Sequence, residues 1–218
     1  QQAVRIAKEM PGVPVKLIWT REEDMMQGRY RPIGMCKLTA GLDANGDVQA
    51  LQIRLAAPSI LTSVRPQALG KDGSDPIMYQ GWFPGGTESP FGYQSIPNIL
   101  IDAAMRNTHV PPGFWRGVNN NQNAVFLECF MDEVAKEVGK DPLEFRRAMM
   151  ANHPKHLAVL NAVAAKIGWE NTKPPAGQFR GIAQHMGYGS YVAAAAEVSV
   201  SDRGRLGCQR RVDRCTAR

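Results

Sequence analysis

The sequence predicts an α+β fold, in which strands and helices are mixed without a regular alternation. β-branched runs and an Asn-Gly step indicate strands in the first half of the chain. Apolar residues at helical spacing dominate residues 120–167, and a further strand pattern follows them. The chain has 218 residues and no internal repeat, so its length suits one large domain or two small ones.

Composition excludes some classes of function. Hydrophobic residues make up 44% and charged residues 21% of the chain, which is typical of a globular protein. No apolar run approaches the roughly 18 residues that a transmembrane helix needs. The net charge of +6 comes mainly from residues 201–218, where six Arg and two Asp leave +4. Residues 1–200 carry only +2 and no basic stripe, so no nucleic-acid partner is expected.

The cysteines and the start of the chain are also informative. Cys36, Cys129, Cys208 and Cys215 show neither a CxxC pair nor zinc-site spacing, so we expect no disulfide and no metal thiolate. Cys129 falls within a helical pattern and should be a small buried apolar group. The chain starts without Met and without the apolar core of a signal peptide, which predicts an internal piece of a longer protein.

The first quarter of the chain predicts a helix end, a strand and a short helix. Residues 1–10 have helical character, and a Pro-Gly step terminates them. The run VPVKLIW at residues 13–19 is apolar and partly β-branched, which indicates a buried strand. The sequence TREE at residues 20–23 has capping-box spacing and predicts a short helix through Met26.

A hairpin and an irregular segment follow. Two strand patterns flank residues 43–47, where Asn45 and Gly46 suit the positive φ angles of a tight turn. Residues 58–93 are rich in Gly, Pro and Ser, which predicts a long irregular segment that is functional or mobile. The sequence IPNILIDAAMRNTHV at residues 96–110 predicts another strand between prolines.

An amphipathic helix is predicted next. Phe126, Phe130, Val134 and Val138 recur every four residues and form one apolar face. Gly139 occupies the position just past the helix end, where a left-handed residue is favoured.

Two further helices are predicted between residues 141 and 168. The sequence DPLE at residues 141–144 combines an Asp cap, a Pro at the first position and a Glu three residues after the cap. A third helix spans residues 157–167 and ends at Gly168. His153 and His156 lie at its start; a metal site there needs further ligands, so a solvated helix end is the preferred interpretation.

The rest of the chain suggests a change of organisation. The sequence KPPAGQFRG reads as a linker, and YVAAAAEVSV resumes a strand pattern. We therefore assign residues 1–170 to one domain, residues 171–206 to a linker and the start of a strand segment, and residues 207–218 to an atypical basic tail.

The tail itself does not resemble a strand. Val212 is the only β-branched aliphatic residue in the stretch GCQRRVDRC, and four Arg lie within residues 207–218. Like charges along an edge strand repel, so we expect this segment to be solvated and disordered. A reading-frame change is one explanation, and a genuine basic tail is the alternative.

The loop of residues 111–122 is the candidate binding site. It joins a strand to a helix N-terminus, whose unpaired N–H groups and positive dipole end suit anions. Gly113 and Gly117 allow a ligand to approach the backbone closely. Arg116 offers a planar fork of donors. Amide side chains able to bind a polar ligand follow: Asn119, Asn120, Asn121, Gln122 and Asn123.

A structural interpretation of the same loop is equally compatible with the residues alone. Asn119, Asn120 and Asn121 would then only cap the helix, and Trp115 would fill the core. Residue types by themselves do not separate the two interpretations, because loops of this composition are common.

The sequence VPPGFWRGVNNNQNAVFLECFMDEVAKEVGKDPLEFRRAMM at residues 110–150 resembles a segment of the xanthine dehydrogenase and aldehyde oxidase family of molybdenum hydroxylases. The family segment reads F-R-G-x-x-x-x-Q before its helix and G-x-D-P-x-E-x-R after it. The sequence PVKLIWTREEDM at residues 14–25 and Tyr93 with the following IPN also resemble family signatures. The Trp-Arg form and the amide run are similar to the isoquinoline 1-oxidoreductase β-subunit branch.

This resemblance implies a function for a complete large, molybdopterin-binding subunit. It implies a molybdopterin cofactor, in bacteria often the cytosine dinucleotide form, with an oxo-sulfido molybdenum centre. It also implies hydroxylation of an N-heterocycle or an aldehyde with water-derived oxygen, and a partner subunit with two 2Fe–2S clusters. The implied cofactor-binding residues are Phe114, Trp115, Arg116, Gly117 and Gln122.

Three departures from the family pattern limit what this chain can do. A Gly-rich cofactor loop would precede residue 1, and the family's catalytic Glu has no counterpart, since Glu197 lies in a strand pattern. The catalytic residue is therefore unassigned, and the chain alone should be inactive. The position of a substrate-orienting Arg falls near Pro84, so a purine substrate is not expected. A cofactor-free interaction module derived from the same fold is the alternative, and either cytoplasm or periplasm is compatible.

Overall fold

A computed structural model describes residues 1–83, 89, 91–93 and 95–216. These residues form an α+β fold, as predicted. The helices are α1 (Gln2–Glu9), α2 (Arg21–Gln27), α3 (Ile60–Val64), α4 (Asn120–Glu137), α5 (Pro142–Met149) and α6 (Pro154–Ile167). The strands are β1 (Met35–Leu42), β2 (Val48–Ala57), β3 (Asn98–Met105), β4 (Gln178–Gly187), β5 (Ser190–Val200) and β6 (Leu206–Thr216).

The first sheet has the order β1-β2-β3 and contains the predicted hairpin. β1 and β2 are antiparallel, whereas β2 and β3 are parallel, so that Ile53 lies between Leu38 and Ile101. In the hairpin turn only Gly46 has a positive φ, of 76°. The Asp43 carboxylate accepts hydrogen bonds from the backbone N–H groups of residues 45 and 47, both at 2.9 Å, and closes the turn instead.

Helix α4 packs its apolar side into the core. The buried face is rotated slightly about the helix axis relative to the predicted face. Val134 is buried as expected, while Leu127, Met131 and Ala135 lie deeper than the phenylalanines of the predicted stripe. The expectation that Cys129 is buried is wrong, because the helix turns its side chain away from this core and leaves it exposed.

The helix boundaries after α4 follow the predicted signals. Gly139 and Gly168 adopt φ angles of 65° and 77° just past α4 and α6, where a side chain would be strained. The Asp141 carboxylate caps α5 by accepting hydrogen bonds from the N–H groups of Leu143 at 2.9 Å and Glu144 at 3.2 Å.

The N-terminal region agrees with the sequence for its helices and not for its strand. Helix α2 begins after Thr20, whose hydroxyl accepts a hydrogen bond from the Glu23 N–H at 3.2 Å. Residues 13–19 belong to no strand, and Ile18 is 71% exposed. The predicted buried strand is therefore wrong for the described residues, because no neighbouring strand there pairs with this run.

The C-terminal segment forms a strand, so the expectation of a disordered basic tail is wrong through residue 216. The second sheet has the order β4-β5-β6, and β6 pairs antiparallel with β5, with Val212 opposite Ala195. Val212 is buried at 7% exposure. Arg210 donates to the carbonyl groups of Lys166 at 2.7 Å and Ile167 at 3.0 Å. Its charge thus meets the negative end of the α6 dipole instead of repelling its neighbours.

Helix α6 packs against this second sheet, and one hydrophobic core extends from β2 to β6. β4 begins at Gln178, inside the stretch expected to be a linker. The division of the chain at residue 170 and the origin of the C-terminal sequence stay predictions. Within the described residues, no helix combines the length and the apolar character needed to cross a bilayer.

Candidate functional site

The beginning of the candidate loop is hydrogen-bonded to the short segment of residues 28–31. The Gly113 N–H donates to the Tyr30 carbonyl at 2.9 Å, and the Tyr30 N–H donates to the Pro111 carbonyl at 3.3 Å. A Cβ added to Gly113 would lie 2.5 Å from the Cβ of Arg29, so only glycine allows this close approach. The N-terminal region therefore fixes where the loop begins.

Two consecutive left-handed residues shape the middle of the loop. Gly117 has a φ of 80° and Val118 a φ of 48°. A β-branched side chain is sterically disfavoured in this region of φ. A Cβ at Gly117 would lie 1.8 Å from the Asn121 side-chain oxygen, and this exposed amide would have to rotate away, so the positive φ is the main reason for a glycine here. Such strain persists only where surrounding contacts hold it.

Arg31 supplies these contacts. Its Nη2 donates to the Arg116 carbonyl at 2.7 Å, and its Nη1 donates to the Val118 carbonyl at 2.6 Å. Sequence reasoning missed Arg31, and no local spacing could have identified it, because the two contacts span 85 and 87 residues. An arginine in a polar stretch is ordinarily solvated.

The side chains of the loop surround an open cavity of about 430 Å³, whose lining includes Arg31, Phe114, Trp115, Arg116 and Asn121. Phe114 is 54% and Trp115 is 55% exposed, so the interpretation in which Trp115 fills the core is wrong. Arg116 is exposed, and its guanidinium has no hydrogen-bond or ion-pair partner within the described residues.

The amide side chains tether neighbouring segments instead of capping the helix. Asn119 precedes α4 without a side-chain cap and donates from Nδ2 to the Ile77 carbonyl at 2.9 Å. Asn123 donates from Nδ2 to the carbonyl groups of Met78 at 3.0 Å and Gln80 at 2.7 Å. These bonds fasten the start of α4 to the segment of residues 76–80.

Gln122 carries an unsatisfied acceptor. Its Nε2 donates to the Asn119 Oδ1 at 2.8 Å, and this bond fixes the orientation of the amide. The Gln122 Oε1 is buried and has no hydrogen-bond partner in the described part of the chain. A buried acceptor without a donor costs about 1–3 kcal/mol. The five sequence candidates thus divide: Phe114, Trp115 and Arg116 line the cavity, Gly117 shapes the turn, and Gln122 lies on the first turn of α4.

His185 contacts the first residue of α4. Its Nε2 lies 3.2 Å from the Asn120 Oδ1. The Asn120 oxygen only accepts hydrogen bonds, so this ring nitrogen carries the proton. Burial, together with repulsion from His156, lowers the pKa of His185 to about 4. The imidazole is therefore neutral near pH 7 and donates at the helix N-terminus.

His153 and His156, the two histidines singled out in the sequence, are buried, so the prediction of a solvated helix end is wrong. His153 is 2% and His156 is 0% exposed. His156 contacts the Gln184 side chain through Nδ1 and the Ser89 carbonyl through Nε2 at 3.0 Å. Burial lowers the pKa of His156. In the described ranges no group of three His, Cys, Asp or Glu side chains has the arrangement of a metal site.

Two buried ion pairs stabilise the scaffold behind the loop. Glu128 on α4 accepts hydrogen bonds from Arg146 on α5 and from the Tyr93 hydroxyl. Burial, followed by the negative charge of Glu128, holds the pKa of Tyr93 well above its ordinary value. Glu197 lies in β5, as expected, and pairs with Arg180. The Arg180 guanidinium therefore balances the charge of this buried carboxylate.

Comparison with known proteins identifies a family and relatives that this chain resembles. The sequence profile of the family described as "Molybdopterin cofactor-binding domain" matches residues 2–150. The chain is 29% identical over 192 residues to isoquinoline 1-oxidoreductase subunit beta of Brevundimonas diminuta, covering 86% of this chain and 23% of that protein. It is 26% identical to a membrane-bound aldehyde dehydrogenase (pyrroloquinoline-quinone) of Gluconacetobacter polyoxogenes, covering 95% and 29%.

Solved structures share the fold. Quinoline 2-oxidoreductase from Pseudomonas putida 86 aligns with a TM-score of 0.59 and 16% identity, covering 95% of this chain and 30% of that one. Aldehyde oxidoreductase from Desulfovibrio gigas aligns with a TM-score of 0.56 and 17% identity, covering 87% and 22%. The chain spans about a quarter of the length of the curated relatives. Because the profile covers more than half of the chain, the protein belongs to the molybdopterin cofactor-binding domain family.

Proposed function

We propose that the chain forms part of the large subunit of a molybdenum hydroxylase, which oxidises an N-heterocycle or an aldehyde with water-derived oxygen. The family match and the names of two relatives, isoquinoline 1-oxidoreductase and aldehyde dehydrogenase, support this proposal. Electrons pass to a partner subunit that carries 2Fe–2S clusters. The resemblance of the loop sequence to the molybdenum hydroxylases supports this last step.

The residues of the candidate loop fit a molybdopterin. The cofactor carries anionic groups, and the loop offers a complementary group for them. Arg116 has a free guanidinium beside the cavity, which suits phosphate or another anion. The Gln122 Oε1 also lacks a donor in the described chain, but it is buried and Gln122 is not among the residues that line the cavity. Phe114 and Trp115 present exposed aromatic surface for a flat ring system.

The backbone of the loop also suits an anionic ligand. Gly117 has no Cβ, so a ligand can approach its peptide groups closely. Helix α4 begins at Asn120 and directs the positive end of its dipole towards the loop. This combination favours an anionic cofactor, including a cytosine dinucleotide form with two phosphates. When bound, molybdopterin supplies a molybdenum centre that accepts electrons from the substrate.

The single observation that carries the proposal is the grouping of an unpaired Arg116 and two exposed aromatic rings around one cavity at the N-terminus of α4. The test is to purify the complete subunit and measure its molybdenum content and the fluorescence of its extracted pterin. Stoichiometric molybdenum and pterin would support the proposal. Pyrroloquinoline quinone in their place, or no cofactor at all, would contradict it, and the second result would favour a cofactor-free interaction module.

A further inference from the structure

The backbone at residues 116–118 takes a conformation that its own sequence does not favour. Val118 is one of two non-glycine residues with a positive φ in the described part of the chain. Two short backbone hydrogen bonds form within the turn: the Val118 N–H donates to the Trp115 carbonyl at 2.7 Å, and the Asn120 N–H donates to the Gly117 carbonyl at 3.0 Å. These bonds close the turn, but they do not remove the steric strain that a positive φ imposes on the valine.

Arg31 joins both sides of this turn. Its planar guanidinium donates to the carbonyl groups of Arg116 and Val118, which flank Gly117. Two donors in one rigid plane fix the distance and the relative orientation of two acceptors, which a flexible ammonium group cannot do. The side chain is half-buried and also lines the cavity beside Arg116.

The base of Arg31 is anchored to the same loop. Its neighbour Tyr30 exchanges backbone hydrogen bonds with Pro111 and Gly113. The segment of residues 28–31 therefore contacts the loop at its beginning through the backbone and at its end through the Arg31 side chain. Both ends of the loop are thus attached to the same segment. A change in the loop conformation would break contacts at one of these two points.

We propose that Arg31 is a positioning residue, which holds residues 116–118 in the conformation that presents Arg116 and the start of α4 to the cavity. The importance of this conformation for cofactor binding rests on the function proposed above. The clamp itself does not, because its contacts lie within the chain.

The first test measures hydrogen exchange of the 218-residue chain without cofactor. Arg31→Met should raise exchange at the Val118 and Asn120 amides by on the order of tenfold or more, since two charge-assisted hydrogen bonds are lost. Arg31→Lys should behave similarly, because the fork is lost while the charge remains. The control is Arg21→Met, since Arg21 is exposed and, among the described residues, its ion pair is with Asp24.

A second substitution separates positioning from general stability. Asn tolerates a left-handed backbone better than Val does. Adding Val118→Asn to Arg31→Met should therefore return exchange at the Asn120 amide close to its original rate. Unchanged exchange in Arg31→Met, a uniform increase throughout the chain, wild-type behaviour of Arg31→Lys, or no recovery in the double variant would each overturn the clamp.

The complete subunit supplies the functional measurement. Arg31→Met should lower molybdenum content, and Val118→Asn should restore it. If the loop opens in the exchange experiment while molybdenum content is unchanged, Arg31 does not position the cofactor site. A wild-type subunit without molybdenum would instead refute the proposed function, and the exchange result would still decide whether the clamp exists.

Discussion

Arg146 donates a hydrogen bond from Nε to the Glu128 Oε2 at 3.0 Å, where the two side chains are 0% and 7% exposed. The same guanidinium reaches the Asp132 carboxylate at 2.6 Å. Since Glu128 also accepts from the Tyr93 hydroxyl and the Gln184 N–H, this pair joins α4, α5, residue 93 and β4.

Removing one partner of this buried pair should be costly. Arg146→Met leaves the Glu128 carboxylate buried without its cation, and we expect the free energy of unfolding to fall by about 3–5 kcal/mol. Urea denaturation measures this change. Arg147→Met is the matched control, because Arg147 pairs with Glu144 and Glu170, which are largely exposed, and should cost less than about 1 kcal/mol. Equal losses of unfolding free energy in both variants would show that the buried pair stabilises the protein no more than the exposed pairs do.

Stability should decrease as the pH falls below neutral. Burial depresses the pKa values of His185, to about 4, and of His156, so the folded state prefers both rings neutral. The stabilisation is complete above the unfolded pKa of about 6.5 and is lost as pH falls towards 4, by at most about 1.4 kcal/mol per pH unit for each proton bound.

Denaturation at several pH values between 4 and 7.5 tests this dependence. His185→Gln keeps a donor for the Asn120 Oδ1 but cannot titrate, so its stability should vary less between pH 4 and 6.5 than that of the wild type. An identical pH dependence in the two proteins would mean that His185 is not held neutral.

Strand β6 should contribute measurably to stability. Arg210→Ala removes two hydrogen bonds to the last carbonyl groups of α6 and should cost about 1–2 kcal/mol. Arg211→Ala, at an exposed pair with Asp213, should cost less than about 0.5 kcal/mol. Deletion of residues 207–218 should lower Tm clearly. A Tm that does not change on deletion would support the disordered tail that the sequence predicts.

Gly117 should not tolerate a side chain. Gly117→Ala adds the strain of a positive φ and forces the exposed Asn121 side chain, whose oxygen would lie 1.8 Å from the new Cβ, to rotate, whereas Gly139→Ala has a similar φ and nothing within 4 Å. We expect the first variant to change Trp115 fluorescence and to lose more stability than the second. Indistinguishable melting curves and spectra would show that the loop rearranges freely.

Local signals in the sequence predicted much of the fold. The caps at Thr20 and Asp141 and the glycines after α4 and α6 act within one helical turn, so their residue types suffice to identify them. The hairpin around Gly46 is similarly local. These elements are found because each is determined by neighbours in the sequence.

The errors share a different physical cause. Residues 13–19 have strand-like residue types, but a strand also needs a pairing partner, which lies elsewhere in sequence. His153 and His156 look polar, yet tertiary packing buries them. Arg31 and Arg210 look like surface charges, and both donate to carbonyl groups far along the chain. The Gly, Arg and amide residues of the candidate loop are consecutive in the sequence, so local signals group them, and their role as a binding site stays a prediction.

We propose that the loop around Arg116 binds molybdopterin, and the molybdenum content of the complete subunit with Arg116→Ala measures this binding. Because this guanidinium has no partner in the described chain, its loss should leave Tm unchanged, while molybdenum content or turnover should fall by on the order of a hundredfold, the effect of losing one preorganised donor. Arg21→Ala is the control, since Arg21 is an exposed arginine outside the loop. Full molybdenum content and wild-type turnover in the Arg116→Ala subunit would show that Arg116 does not hold the cofactor.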